Sequence, residues 1–198
     1  NDVDKIVIPA NIGEYKVVTV NYIETSFSID KELTIEISEG IKSVGVGAFN
    51  NCVSLKEVTI PSSVEDIGGS PFSGCKSLEK VNIDIDFGTM FQGMESLKEV
   101  NIGGRATEVK DKAFYNCKNL STITIDGDIG YVGKEAFAWC GNLTSISLPS
   151  SVKIIGENAF YNCTSLSNIS LGSSIEIIYN TAFSNCSMLE SISLPNSV

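Results

Sequence analysis

Seven phenylalanines recur at a nearly fixed interval, and no other feature restricts the possible folds as much. Phe49, Phe72, Phe91, Phe114, Phe137, Phe160 and Phe183 stand 23 residues apart at every step except Phe72 to Phe91, which spans 19. A weaker copy begins at Phe27. Three residues after each of the seven comes a cysteine, as in AFYNCTSL from Ala159, or the methionine Met94. Six residues after comes a leucine, from Leu55 to Leu189, and nine and eleven residues after come branched aliphatics, from Val58 and Ile60 to Ile192 and Leu194. A unit of this length cannot bury its own apolar side, so it has to stack on its neighbours.

The pattern L-x-x-(V/I)-x-(I/L) alternates with period two, which puts the two aliphatics on one face of a strand. One strand per repeat, laid parallel on the next, predicts interior columns of leucine, aliphatic and phenylalanine side chains. A second apolar pair follows: Val64 with Ile67, Ile129 with Val132, Val152 with Ile155, Ile175 with Ile178. Gly45, Gly68, Gly133 and Gly156 come next, where the backbone must turn sharply and a positive φ is open to them. Lys110 and Tyr179 hold that place in other copies, so the turn does not strictly need glycine. The stretch ENAFYNC is too short for an independent helix and reads as a single helical turn ending left-handed at Asn or Gly. The predicted fold is therefore a β-rich repeat solenoid of about 23 residues per repeat, with a parallel sheet on one face and short helical turns on the other. Residues 1–26 form a lead-in or capping segment. Residues 27–198 carry eight copies, the first and third irregular and the last incomplete, in one continuous domain.

Charge and missing residue types exclude several functions. A net charge of −10 argues against a nucleic acid or an anionic bilayer as partner, since both reward a basic surface. No apolar run approaches the roughly 20 residues of a spanning helix, so no membrane insertion is expected in this segment. The chain starts at Asn1 with no basic-then-apolar leader, so any secretion signal is expected to lie outside it or to have been removed. The chain has no histidine, which removes Ser-His-Asp and Cys-His catalysis and His-ligated metals together. Asp84 with Asp86 and Asp126 with Asp128 remain as carboxylate pairs, for which loop solvation is the favoured reading over a cation or catalytic role. VGVGAF from Val44 lacks the third glycine of a phosphate loop. No enzyme, cofactor or metal is expected.

Cys52, Cys75, Cys117, Cys140, Cys163 and Cys186 share one register with the phenylalanine before and the leucine after, so they should point inward as small hydrophobes. Stacking brings successive cysteines to about 5 Å with side chains parallel instead of facing, which favours buried free thiols over disulfides. With no C-x-x-C pair and no histidine, zinc is less favoured still.

Two surfaces are left as candidate ligand sites. On the outer strand face, eight and ten residues after each phenylalanine, the columns change from Glu57, Lys80 and Glu99 with Thr59, Asn82 and Asn101 to Thr122, Thr124, Ser145, Ser147, Asn168 and Ser170. That hydroxyl and amide face is a candidate platform for protein or glycan hydrogen bonds, against the plainer reading of solvated strand positions. Tyr115, Trp139 and Tyr161 fall between phenylalanine and cysteine in three consecutive repeats and are a candidate aromatic cluster, against partial packing between turns.

The string LxxIxLPxSVxxIGxxAFxxC, clearest from Leu143 to Cys163, resembles the BspA-like class of leucine-rich repeats, and the opening IVIPANIGEYKVVTV resembles their lead-in. The likeness covers Ile6 to Val198. It implies an extracellular or cell-surface, non-enzymatic setting with adhesion to host matrix proteins, other cells or glycans. The other reading is a structural spacer that displays another domain. The stretch SISLPNSV leaves the last stack open, to be covered by further chain, by a partner or by end-to-end self-association. Two departures from the pattern predict a local bend or bulge. Asp84 to Met90 lacks four residues and leads to Met94 in the cysteine place, and the Phe27 copy is one residue short with Asp30 there.

Overall fold

The computed structural model describes residues 3–21 and 32–198, so the Phe27 anchor with Asp30 lies outside the described residues. In chain order the strands are β1 Val3–Ile8, β2 Asn11–Ile12, β3 Tyr15–Lys16, β4 Thr19–Val20, β5 Glu32–Ile37, β6 Ser43–Val44, β7 Leu55–Ile60, β8 Asp66–Ile67 and β9 Lys80–Ile83. They continue as β10 Glu99–Ile102, β11 Glu108–Val109, β12 Thr122–Ile125, β13 Tyr131–Val132, β14 Ser145–Ser147, β15 Ile154–Ile155, β16 Asn168–Ser170 and β17 Ile177–Ile178.

Two ladders run along the solenoid. The leucine-led segments give a parallel sheet in the order β1-β5-β7-β9-β10-β12, followed by the separate pair β14-β16. The second apolar pairs give shorter parallel ladders, β4-β6-β8 and β11-β13-β15-β17. The lead-in is itself a turn of this coil: β1 pairs in parallel with β5, β4 pairs with β6, and the hairpin β2-β3 between them is antiparallel. Register places like on like, Val58 beside Val81 and Val81 beside Val100, with Ile60, Ile83 and Ile102 in the same order. These six side chains are at most 1% exposed, which is the predicted interior column. The anchor phenylalanines stack face to face, with ring centroids 5.2 Å apart for Phe137 and Phe160 and 5.8 Å for Phe91 and Phe114. Removing one such ring costs about 3–5 kcal/mol, because the stack on each side cannot close over the hole.

The turns differ from the sequence expectation. No helix forms among the described residues; AFYNC and its copies are consecutive tight turns. Backbone N–H groups alternate in direction. Those of Ala136, Ala138 and Cys140 donate back three residues to Gly133, Glu135 and Phe137, whereas those of Glu135, Phe137 and Trp139 donate forward to the next repeat. A helix directs all its N–H groups along its own axis, so stacking the repeats through their turns is incompatible with one. The alternation goes with a left-handed residue two after each of the seven phenylalanines and, except before Phe91, another two before, such as Asn162 (φ 58°) and Asn158 (φ 56°) around Phe160. The expected left-handed Asn or Gly at the end of the turn is thus present, without the helix.

Gly45, Gly68, Gly133 and Gly156 are not left-handed, contrary to the second expectation. Their reason is close approach: a Cβ on Gly68 would lie 2.3 Å from the Val46 nitrogen, and one on Gly156 would lie 2.6 Å from the Gly133 carbonyl carbon. The backbone of the preceding repeat occupies the space.

The bulge falls in one of the two irregular copies only. Between β5 and β7 the register shifts at Leu33/Thr34, in the copy that is one residue short. In the 19-residue repeat the register from β9 to β10 is unbroken. The deletion is absorbed by the second ladder, which has no strand between β8 and β11. Phe87 fills that gap, 2% exposed and edge-on to Phe91 (5.7 Å) and Phe114 (5.4 Å). The Asp86 carboxylate accepts from the backbone nitrogen (2.7 Å) and the hydroxyl (2.9 Å) of Thr107, supplying an acceptor where a neighbouring strand would have offered a carbonyl.

Candidate functional site

All six cysteines are free and buried. Their thiols are also hydrogen-bond donors: Cys140 Sγ donates to the Phe114 carbonyl at 3.2 Å and Cys163 Sγ to that of Phe137 at 3.1 Å, each one repeat earlier. Burial pushes the Cys117 thiol up to about 12 and raises those of Cys140 and Cys163 as well. A thiol held protonated in this way is neither a nucleophile nor a ready metal ligand.

Asp86 is held by Thr107 as described, while Asp84 is half-buried, its carboxyl raised by desolvation and then by the charge of Glu39. Among the described residues no three Cys, Asp or Glu side chains come together in a metal-binding group.

The outer strand face has two halves of different character. In the first half the polar side chains bond one another. Lys56 and Lys98 hold Glu79 at 2.8 and 2.9 Å, and Lys80 lies between Glu57 (3.8 Å) and Glu99 (3.1 Å). Asn82 donates to Glu57 (2.8 Å) and Thr59 (3.1 Å), and Asn101 donates to Asn82 (2.8 Å). The Lys56 and Lys98 hydrogen bonds lower the Glu79 carboxyl, and those of Lys80 and Asn101 lower that of Glu99. In the second half, Thr122, Thr124, Ser145, Ser147, Asn168 and Ser170 lie on the exposed outer face of β12, β14 and β16, and their side chains make no hydrogen bond among the described residues. The strands carry all six onto one face, as the period-two spacing predicts.

The aromatic residues are brought together in part. Trp139 is 42% exposed and meets Tyr161 edge to face at 5.6 Å. Tyr161 accepts a hydrogen bond from Asn185 Nδ2 at 3.2 Å. Tyr115, two turns from Tyr161, instead lies under the Lys112 ammonium at 5.8 Å. Trp139 has a feature that its exposure did not foretell: its φ is 67°. The same place in the other turns holds Asn51, Gly74, Gly93, Asn116, Asn162 and Asn185, all left-handed. Asn and Gly adopt that conformation readily; a bulky aromatic residue does so at a cost of about 1–2 kcal/mol. Column identity at this position was the sequence signal that could have found it.

Comparison with known proteins agrees with this geometry. The family model described as BspA type leucine rich repeat region, in six copies, matches residues 22–140 and 130–198, and the chain belongs to that family. Among solved structures, a leucine-rich repeat protein from Bacteroides ovatus is 31% identical with a TM-score of 0.72, over 93% of this chain and 47% of that one. A leucine-rich repeat protein of T. pallidum is 27% identical with a TM-score of 0.50, over 93% of this chain and 66% of that one. A third, from Eubacterium ventriosum, shares the fold at 15% identity and a TM-score of 0.51, over 98% of this chain and 79% of that one. The chain spans about half the length of the Bacteroides ovatus protein. None of the curated proteins matches the chain. Among the described residues no helix is long and apolar enough to cross a membrane.

Proposed function

We propose that this segment is a non-enzymatic binding module, displayed outside the cell, that engages a protein or glycan through the solenoid surface. The observation that carries this reading is the division of the outer strand face. The first half spends its hydrogen-bonding groups on itself, whereas the Thr122 to Ser170 half keeps side-chain donors and acceptors unengaged among the described residues along β12, β14 and β16. Membership of the BspA-type family supports the setting. The spacer reading draws on the same zipper of ion pairs and the continuous phenylalanine stack, which stiffen the coil.

The test screens the segment against extracellular matrix proteins and a glycan array beside a variant carrying Thr122→Lys, Ser145→Glu and Asn168→Lys, which extends the zipper over the free face. Binding by the parent and its loss in the variant support the strand face. Equal binding by both moves recognition elsewhere on the solenoid, and uniform absence of binding favours the spacer.

A further inference from the structure

Resting on that reading, we propose that Trp139, flanked by Asn116 and Asn162, forms a subsite for a neutral oligosaccharide on the turn edge of the solenoid. The turn does not need a tryptophan here, since Asn or Gly holds the same left-handed place in six other copies, so the strained backbone points to a use for the indole itself. The ring is 42% exposed and in T-shaped contact with Tyr161 at 5.6 Å, and the Trp139 backbone N–H donates to the Tyr161 carbonyl at 2.8 Å.

The neighbours fit a sugar. Asn116 and Asn162 occupy the same place in the adjacent turns, half-buried, and neither side-chain amide makes a hydrogen bond among the described residues. An amide both donates and accepts, as a hydroxyl partner requires, and repeats about 5 Å apart match the length of one hexose in an extended chain. The electropositive C–H face of a pyranose ring complements the negative face of the indole.

Charge selects the neutral class. Lys112, Lys118 and Lys134 are engaged by Glu135 (3.5 Å), Glu95 (2.7 Å) and Glu157 (2.7 Å), so these ammonium groups are not free for an acidic sugar, and the chain carries −10 overall. A protein partner fits less well. The apolar area is one indole and the edges of two half-buried tyrosines, well below the roughly 800 Å² per side of a stable protein interface.

Trp139 is the chain's single tryptophan, so its fluorescence reports this site directly. The experiment titrates the segment with neutral oligosaccharides of glucose, xylose, mannose and N-acetylglucosamine, and with sialylated and sulfated glycans as the charged arm. The expected result is a saturable change in emission with at least one neutral series and none with the charged arm. Trp139→Asn should fold with an unchanged or higher Tm and weaken that binding by on the order of tenfold or more by calorimetry. Asn116→Gly with Asn162→Gly, which removes both amides and keeps a residue suited to the left-handed backbone, should weaken it while leaving the tryptophan emission of the free protein in place. No emission change with any neutral series, preference for the charged arm, or undiminished binding by Trp139→Asn overturns the proposal. Capture of a ligand that Thr122→Lys, Ser145→Glu and Asn168→Lys abolish, with Trp139 emission unmoved, overturns this subsite and leaves the binding-module reading standing.

Discussion

The thiol of Cys75 donates to the carbonyl oxygen of Phe49, one repeat earlier, at 3.1 Å. Cys117 does the same to Phe91 and Cys186 to Phe160, at 3.0 and 3.1 Å. In these repeats the position takes a small apolar body with a donor at its tip, which cysteine supplies and alanine does not; Met94 fills it without a donor in the 19-residue repeat. Cys163→Ala should cost about 1–2 kcal/mol in urea unfolding, from a small cavity and one lost donor. Thiol labelling at pH 8 checks the same point kinetically. With the Cys117 thiol pushed up to about 12 by burial, the native protein should react far more slowly than the unfolded chain, where all six groups are open. Rapid labelling of native protein would contradict the packing.

Two glycines separate the two reasons for having glycine. A Cβ on Gly156 would meet the backbone of Gly133 at 2.6 Å, whereas one on Gly69 meets nothing within 4 Å. Gly156→Ala should therefore destabilise by about 1–3 kcal/mol, since two backbones would have to separate. Gly69→Ala should be neutral or stabilise by up to about 1 kcal/mol through the unfolded chain. Equal effects in parallel melts would remove close approach as the explanation.

The repeat made most of the fold legible, because stacking forces each position in the period into one environment. Leu143, Ile146 and Phe137 could be assigned to the interior from spacing alone, and all three are buried. The turns are not legible in the sequence, because a short stretch ending in Asn suits both a helical turn and a stacked tight turn; only the neighbour's carbonyls, to which donors such as the Phe137 nitrogen bond, decide between them. Phe87 carries no such signal, because the deletion shifts it out of the phenylalanine frame into the glycine column. On the candidate surfaces, strand spacing places Thr122 and Ser170 on one face, but no spacing could show that their hydroxyls lack partners among the described residues while the Asn82 amide has three.

Phe87 takes the place of the missing four residues, so the short repeat depends on it. Phe87→Ala should cost about 3–5 kcal/mol, as for a buried ring whose cavity cannot collapse, with the loss centred between Phe72 and Phe114. Hydrogen exchange should show faster opening in β9 and β10 than in β15 and β17. An unchanged exchange pattern would mean that the gap closes without the ring.

The Glu79 ion pairs set a pH dependence of known sign. The hydrogen bonds from Lys56 and Lys98 hold its carboxyl below the ordinary value of 4.5, so the folded protein binds that proton less tightly than the unfolded chain does. The stabilisation is present in full above about pH 5 and is lost as the pH falls through the lowered folded value. Since the Glu79 side chain is 35% exposed, solvent screening limits the effect to about 1 kcal/mol for the pair of contacts. Glu79→Gln should lower Tm at pH 7 by a few degrees at most and make no difference near pH 2, where the carboxyl is protonated in both states. Salt should narrow the difference at pH 7, because the contacts lie near the surface. A constant gap between the parent and Glu79→Gln from pH 7 to pH 2 would assign the loss to packing of the side chain and not to its charge.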